Sequence, residues 1–307
     1  WDAAQSLLAT YIRLNVARYQ QGQHLSLPLH VADAFRAVLL DTDCDPALTA
    51  LILTLPSENE IAELFDTIDP QAIALVRDAL QRTLARELAD EFFAIYNANQ
   101  QPEYRVEHDA IGQRSLKNIC LTYLAFSDAQ LADKLVQTQY HQATNMTDAL
   151  AALSAAVAAQ LPCRDALLAA YDERWHQDGL VMDKWFVLQA TSPAANVMRN
   201  VRQLLNHRSF TMSNPNRVRS LVGAFASANP AAFHAKDGSG YKFLVEMLTD
   251  LNTRNPQVAA RMVEPLIRLK RYDEGRQAMM RQALEQLLEL DKLSGDLYEK
   301  ITRALNA

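Results

Sequence analysis

The sequence predicts an all-α protein, and three observations carry that expectation. Glycine is scarce, at 8 of 307 residues, and aromatic residues make up 7%. Sheets lean on aromatic and β-branched side chains and on glycine-bearing hairpin turns. No stretch sustains the period-two alternation of a half-buried strand. Finally, Asp45-Pro46, Asp69-Pro70, Ser192-Pro193, Asn214-Pro215, Asn229-Pro230 and Asn255-Pro256 each pair a cap-forming side chain with proline. The cap oxygen accepts from the first free amides of a helix. The proline has no N–H to leave unsatisfied, and its φ is preset for the first turn.

In chain order, a first helix runs from Ala3 to about Gln21 on Leu7, Leu8, Tyr11, Ile12, Leu14 and Val16. A long periodic run from Asp69 to about Asn97 carries Ile73, Val76, Leu80, Leu84, Leu88 and Phe92. The alanine-rich stretch Asp148–Gln160 is apolar on nearly all sides, as a buried helix is, and its small residues allow close helix approach. Gln277–Leu290 repeats Met279, Leu284, Leu287, Leu288 and Leu290 among polar residues. Gln100–Tyr104 and Lys236–Gly240 read as loops. The expectation is about sixteen helices forming roughly eight antiparallel hairpins, stacked as a HEAT- or armadillo-like superhelical array with repeats of ~40–47 residues. One echo fits that period: Asn214-Pro215 and Asn255-Pro256 begin 41 positions apart. No linker or low-complexity tract interrupts the chain, so residues 1–307 read as a single helical-repeat domain.

Composition excludes several function classes. The net charge is -6 and no dense Lys/Arg block is present, which argues against a nucleic-acid partner. No apolar run approaches the ~20 residues of a membrane span. The start, Trp1 to Leu8, has no basic region followed by an apolar one, so it is no signal peptide and reads as the inside or edge of a helix. Cys44, Cys120 and Cys163 are far apart and without CxxC spacing, as buried thiols of a reducing cytoplasm are.

The chemistry of a zinc peptidase needs two imidazoles on one helical face and a carboxylate to activate water. No two of His24, His30, His108, His141, His176, His207 and His234 are four apart. Glu107-His108-Asp109 lies at a predicted helix start, where acidic residues suit the dipole. Gly238-Ser239-Gly240 lacks the phosphate-binding pattern and reads as a flexible turn before a helix near Tyr241. No GxSxG elbow exists. Carboxylates such as Glu58/Glu60 and Glu87/Asp90/Glu91 fall on polar faces. These residues point to no catalytic group and to no metal or other cofactor in this chain.

Several long strings resemble the C-terminal domain of bacterial aminopeptidase N, the alanyl aminopeptidase of the gluzincin class. They are Trp185 to Asn196, Ser209 to Ser220, Asn229 to Ala235, Arg254 to Arg261 and Leu293 to Ile301. The similarity spans essentially the whole chain and is nearest the enterobacterial type. It implies a four-domain parent that removes N-terminal residues from peptides. Its zinc would lie in a separate thermolysin-like catalytic domain, and a helical bowl would close over the active site. On this reading the partners are that catalytic domain and a peptide substrate in the shared cavity, in the cytoplasm. The alternative is a free-standing helical-repeat scaffold that binds a partner protein.

The resemblance also directs attention to one helix face. Gln257, Arg261, Glu264 and Arg268 form a polar stripe beside the apolar stripe Val258, Met262, Leu266 and Leu269. Alone, such a stripe reads as a solvated face with Glu264 paired to Arg261 or Arg268. In the family, the positions matching Gln257 and Arg261 lie toward the catalytic domain and cavity, which implies substrate binding. Arg219 is a third candidate. It lies off the apolar stripe of Val218, Leu221, Val222 and Phe225, one turn before Gly223, which permits close approach of another element. Its other reading is a structural hydrogen bond to a neighbouring loop.

Overall fold

The computed structural model describes residues 2–26 and 29–306. The expectation for Trp1 falls outside them. Among the described residues the protein is all-α, 74% helical, without a strand; one isolated parallel bridge joins Ile68 to Tyr272. The chain divides into two compact units, Trp1–Leu64 with Ala72–Ala170, and Phe65–Gln71 with Tyr171–Ala307.

The helices of the first half are α1 (Asp2–Gln20), α2 (Leu29–Leu40), α3 (Pro46–Leu53), α4 (Glu58–Ala62), α5 (Pro70–Glu87), α6 (Ala89–Ala98), α7 (His108–Leu124), α8 (Ala129–Gln142), α9 (Met146–Ala159) and α10 (Arg164–Trp175). Caps set the starts. Asp45 accepts from the Leu48 amide, and Ser57 and Glu60 form a reciprocal capping box. Asn145 accepts from Asp148 and starts α9 two residues before the expected position, and Gln160 ends it in the left-handed conformation at φ 56°. The expected single run from Asp69 to Asn97 is broken at Leu88, whose φ of -121° and ψ of 23° leave the helical region. The core of the first unit centres on Tyr123. Its ring stacks on Phe92 at 4.5 Å and its hydroxyl donates to the Leu53 carbonyl at 2.7 Å. Cys120 and Cys163 are buried and Cys44 is half-buried, all as free thiols.

The second half contains α11 (Gly179–Ala190), α12 (Val197–Leu204), α13 (Pro215–Val218), α14 (Ala224–Ala228), α15 (Pro230–Phe233), α16 (Ser239–Arg254), α17 (Pro256–Met262), α18 (Glu264–Ile267), α19 (Glu274–Leu288) and α20 (Gly295–Asn306). Asn214, Asn229 and Asn255 cap their helices as expected. Ser192-Pro193 does not start one. Buried Asn229 donates to the carbonyls of both Ala190 and Ser192 at 3.0 Å, which ties that segment down outside a helix, and α12 begins only at Val197. The surplus over about sixteen helices comes largely from interruptions of longer ones, at Leu88, at a π turn between α13 and α14, and at Pro265. Phe225 packs edge-on to Phe233 and Phe243 at the centre of the second unit.

The Gly238-Ser239-Gly240 segment is not a flexible turn. Gly238 adopts φ 69°, Ser239 begins α16, and buried Gly240 lies against the backbone of Phe233. Next to it, His234 is 2% exposed, bonds the Tyr241 hydroxyl through Nδ1 at 2.9 Å and stacks on Tyr272. Burial, aided by the charge of Arg276, pushes its pKa down to about 3. The unfolded chain therefore takes up this proton first. Stability from His234 is complete above an ordinary histidine pKa of about 6.5 and is lost as pH falls from there toward about 3. In His234→Phe, the slope of unfolding free energy against pH should drop by close to one proton between about pH 6 and 4. Denaturant unfolding at several pH values checks this, and an unchanged slope would refute it.

Candidate functional site

Gln257 and Arg261 come together in an open groove of about 510 Å³ on the second unit, lined also by Ala260, Asp296, Glu299, Lys300 and Arg303. The local sequence explains one wall. Asn255 caps α17 by accepting from the Val258 amide, with Pro256 at the first helical position. Val258, Met262, Leu266 and Leu269 are buried, as the apolar stripe requires, and Gln257, Arg261, Glu264 and Arg268 are exposed. The polar stripe is not on one continuous helix, however. Pro265 has no N–H to return to the Arg261 carbonyl, and its ring crowds that oxygen. Thus α17 ends at Met262 and the short α18 takes over.

The other wall is α20. It buries Leu297 and Ile301, which leaves Asp296, Glu299, Lys300 and Arg303 on the groove side of an amphipathic helix. Glu264 pairs with Lys300 at 3.1 Å. No ion pair or hydrogen bond engages the Arg261 guanidinium among the described residues, so its forked donors are available. With Arg261, Lys300 and Arg303 alongside Asp296 and Glu299, the groove carries both signs of charge. It suits a zwitterionic or amide-bearing ligand better than a bare anion.

Arg219 lies outside that lining. It opens a π turn, Arg219–Gly223, in which the Ala224 amide reaches back five residues to the Arg219 carbonyl. Among the described residues its guanidinium donates to Asn216 Oδ1 at 3.1 Å, three residues earlier in the chain, and to no neighbouring loop. Gly223 does permit close approach, since a Cβ there would sit 3.3 Å from Met262 Sδ on α17. Asp296, Glu299, Lys300 and Arg303 were not singled out by sequence. The amphipathic pattern of α20 was readable, but its apposition to α17 was not.

Glu107-His108-Asp109 lies at the start of α7, where His108 Nε2 meets Asp45 Oδ2 at 3.0 Å. Among the described residues, no three His, Cys, Asp or Glu side chains gather to hold a metal ion, so a catalytic zinc does not fit these side chains. No described helix is long and apolar enough to cross a membrane.

An all-helical chain with this groove is a helical-repeat domain. It belongs to the family described as "Domain of unknown function (DUF3458_C) ARM repeats", matched over residues 1–306, and is the C-terminal helical domain of an aminopeptidase N. It is 76% identical over 305 residues to Aminopeptidase N of Escherichia coli, covering 99% of this chain and 35% of that protein. Over the same coverage it is 50% identical to Aminopeptidase N of Haemophilus influenzae. The crystal structure of Legionella pneumophila aminopeptidase A in complex with aspartic acid aligns with a TM-score of 0.88 at 28% identity, over 99% of this chain and 36% of that one. The chain thus spans about a third of the length of these relatives.

Proposed function

We propose that this chain is the non-catalytic domain of a cytoplasmic zinc aminopeptidase, that residues 1–307 act there as one unit of a larger protein, and that it caps the active-site cavity and controls peptide access. The relatives' printed names support the parent activity, and the catalytic domain is the implied partner. The observation that carries the reading is the groove that joins Gln257 and Arg261 to Lys300 and Arg303. In the assembled enzyme, Arg261 meets a carbonyl oxygen or the terminal carboxylate of a peptide. A guanidinium suits that role because it is always charged and its donors are planar and forked. Gln257 adds an amide that both donates and accepts, and Arg219 stands on the π turn whose Gly223 packs against Met262 of the same helix.

Arg261→Ala in the full-length enzyme tests this. The contact lies away from the scissile bond, so it favours binding over bond breaking. KM for tri- and tetrapeptides should rise by about five- to thirtyfold, equivalent to about 1–2 kcal/mol for a charged hydrogen bond in a wet site. For a small aminoacyl-arylamide, which has no distal carboxylate, kcat should stay near the parent value. Equal kinetics on long and short substrates would return Arg261 to a solvated face.

A further inference from the structure

We propose that the first unit carries a second binding site, specific for a neutral, hydroxyl-rich small molecule such as a sugar or polyol. The site is a cavity of about 600 Å³, well apart in sequence from the α17/α20 groove. It is bounded by the last turn of α6, the loop that follows, α7, the second half of α8 and the first turn of α9. Its size falls within the range of small-molecule pockets, which are concave and carry a few convergent polar groups.

The polar groups on its floor form one network. Lys117 Nζ donates to Asp148 Oδ2 at 2.8 Å, Asn118 Nδ2 donates to Oδ1 at 3.0 Å, and Asn145 Nδ2 donates to Oδ2 at 3.1 Å. Gln139 Nε2 donates to Asn118 Oδ1 at 2.8 Å and to the Asp148 carbonyl at 3.0 Å. These bonds force the orientation of every amide. The Asp148 carboxylate only accepts, so Asn118 must present Nδ2 to it and Oδ1 to Gln139; Gln139 must then present Nε2. What remains is Gln139 Oε1, a buried acceptor without a partner, on a side chain only 6% exposed. In the same network, only one of the three donors of the Lys117 ammonium has a partner among the described residues. Both side chains line the cavity.

This leftover pair defines the ligand chemistry. A hydroxyl accepts from Lys117 and donates to Gln139 Oε1 at once, which an ionised carboxylate, an acceptor only, does not. The charge balance agrees. Lys117 is neutralised by Asp148, and the remaining charged residue of the lining, Glu103, is exposed and acidic. An anion therefore gains no net attraction. The walls suit several hydroxyls: Gln100 and Gln142 offer carboxamides, Thr138 a hydroxyl, and Tyr96 and Tyr104 faces with polar tips.

The test uses the full chain, with sucrose as the probe and side-chain amide NMR signals as the readout. Sucrose should produce saturable shifts at the Gln139 and Asn145 amides. Trimethylamine N-oxide, excluded from protein surfaces as sucrose is in bulk, should not, and nor should inorganic phosphate. Asn97 is exposed on the last turn of α6 and lines the cavity. Asn97→Trp should fill the space and abolish the shifts without altering the circular dichroism. Gln139→Met should weaken binding by about fivefold or more, the loss of one buried hydrogen bond; if it fails to fold, Asn97→Trp decides alone. Linear or absent shifts with sucrose, shifts that survive Asn97→Trp, or saturable binding of phosphate in place of sucrose would each overturn the proposal.

Discussion

Gly240→Ala is expected to destabilise the second unit by about 3 kcal/mol or more, at the upper end of overpacking effects. A Cβ at this position would lie 2.0 Å from the Phe233 carbonyl oxygen and 2.8 Å from its carbon. Both are backbone atoms, so no rotamer change relieves the clash. The start of α16 would have to part from α15. That would disturb Phe233, which is fully buried and edge-on to Phe225 at 6.1 Å and to Tyr241 at 5.5 Å. Alanine in a helix normally stabilises by up to about 1 kcal/mol relative to glycine, too little to offset the loss. Gly295→Ala is the control. No atom lies within 4 Å of its would-be Cβ, so the change should be neutral or slightly stabilising. Urea midpoints of the two variants decide the matter, and equal midpoints would show that the α15–α16 contact yields freely.

Lys117→Met should have a comparable effect in the first unit. Lys117 is 4% and Asp148 7% exposed, so the substitution strands a carboxylate in the interior. Breaking a buried pair from one side destabilises by about 3–5 kcal/mol, whereas replacing both partners is far milder. The pH dependence gives the diagnostic sign. Burial alone would raise the Asp148 pKa, but hydrogen bonds from Lys117, Asn145 and Asn118 together hold it below the ordinary value. Folding with the ion pair is therefore favoured above the ordinary carboxylate range and weakens as pH falls through the lowered pKa. Without Lys117, burial is opposed by two amides only, and the folded-state pKa rises. The variant then gains relative stability as pH is lowered toward about 5, and its gap to the parent narrows. A gap independent of pH would mean that lost packing, not charge, sets the effect. Adding Asp148→Asn to Lys117→Met should recover part of the loss.

Much of the fold was legible because helix starts are local events. An Asp or Asn oxygen and the amides it serves lie within three residues of each other, so Asp45, Asn214, Asn229 and Asn255 could be read directly as caps. The apolar stripe of Val258, Met262, Leu266 and Leu269 was legible for a similar reason, since helical period alone decides which positions share a face. Interruptions were harder. The Pro265 break was present in the sequence, but a proline near the start of a new helix and one inside an old helix look alike until the neighbouring turn is seen. Ser192-Pro193 looked like any other cap, because the Asn229 amide that holds its backbone lies 37 residues further on.

By itself, then, the sequence determined the all-helical class, the capped starts, the buried stripes and the family resemblance. Those depend on neighbours in the chain or on long identical strings. Only the tertiary structure decided that Gly240 is a packing requirement and that Lys117 belongs with Asp148. It also set Arg303 and Lys300 of α20 across a groove from Gln257 and Arg261, and left Arg219 outside it. Each of these is a contact between segments remote in sequence. Packing and desolvation select such contacts, and no local periodicity records them.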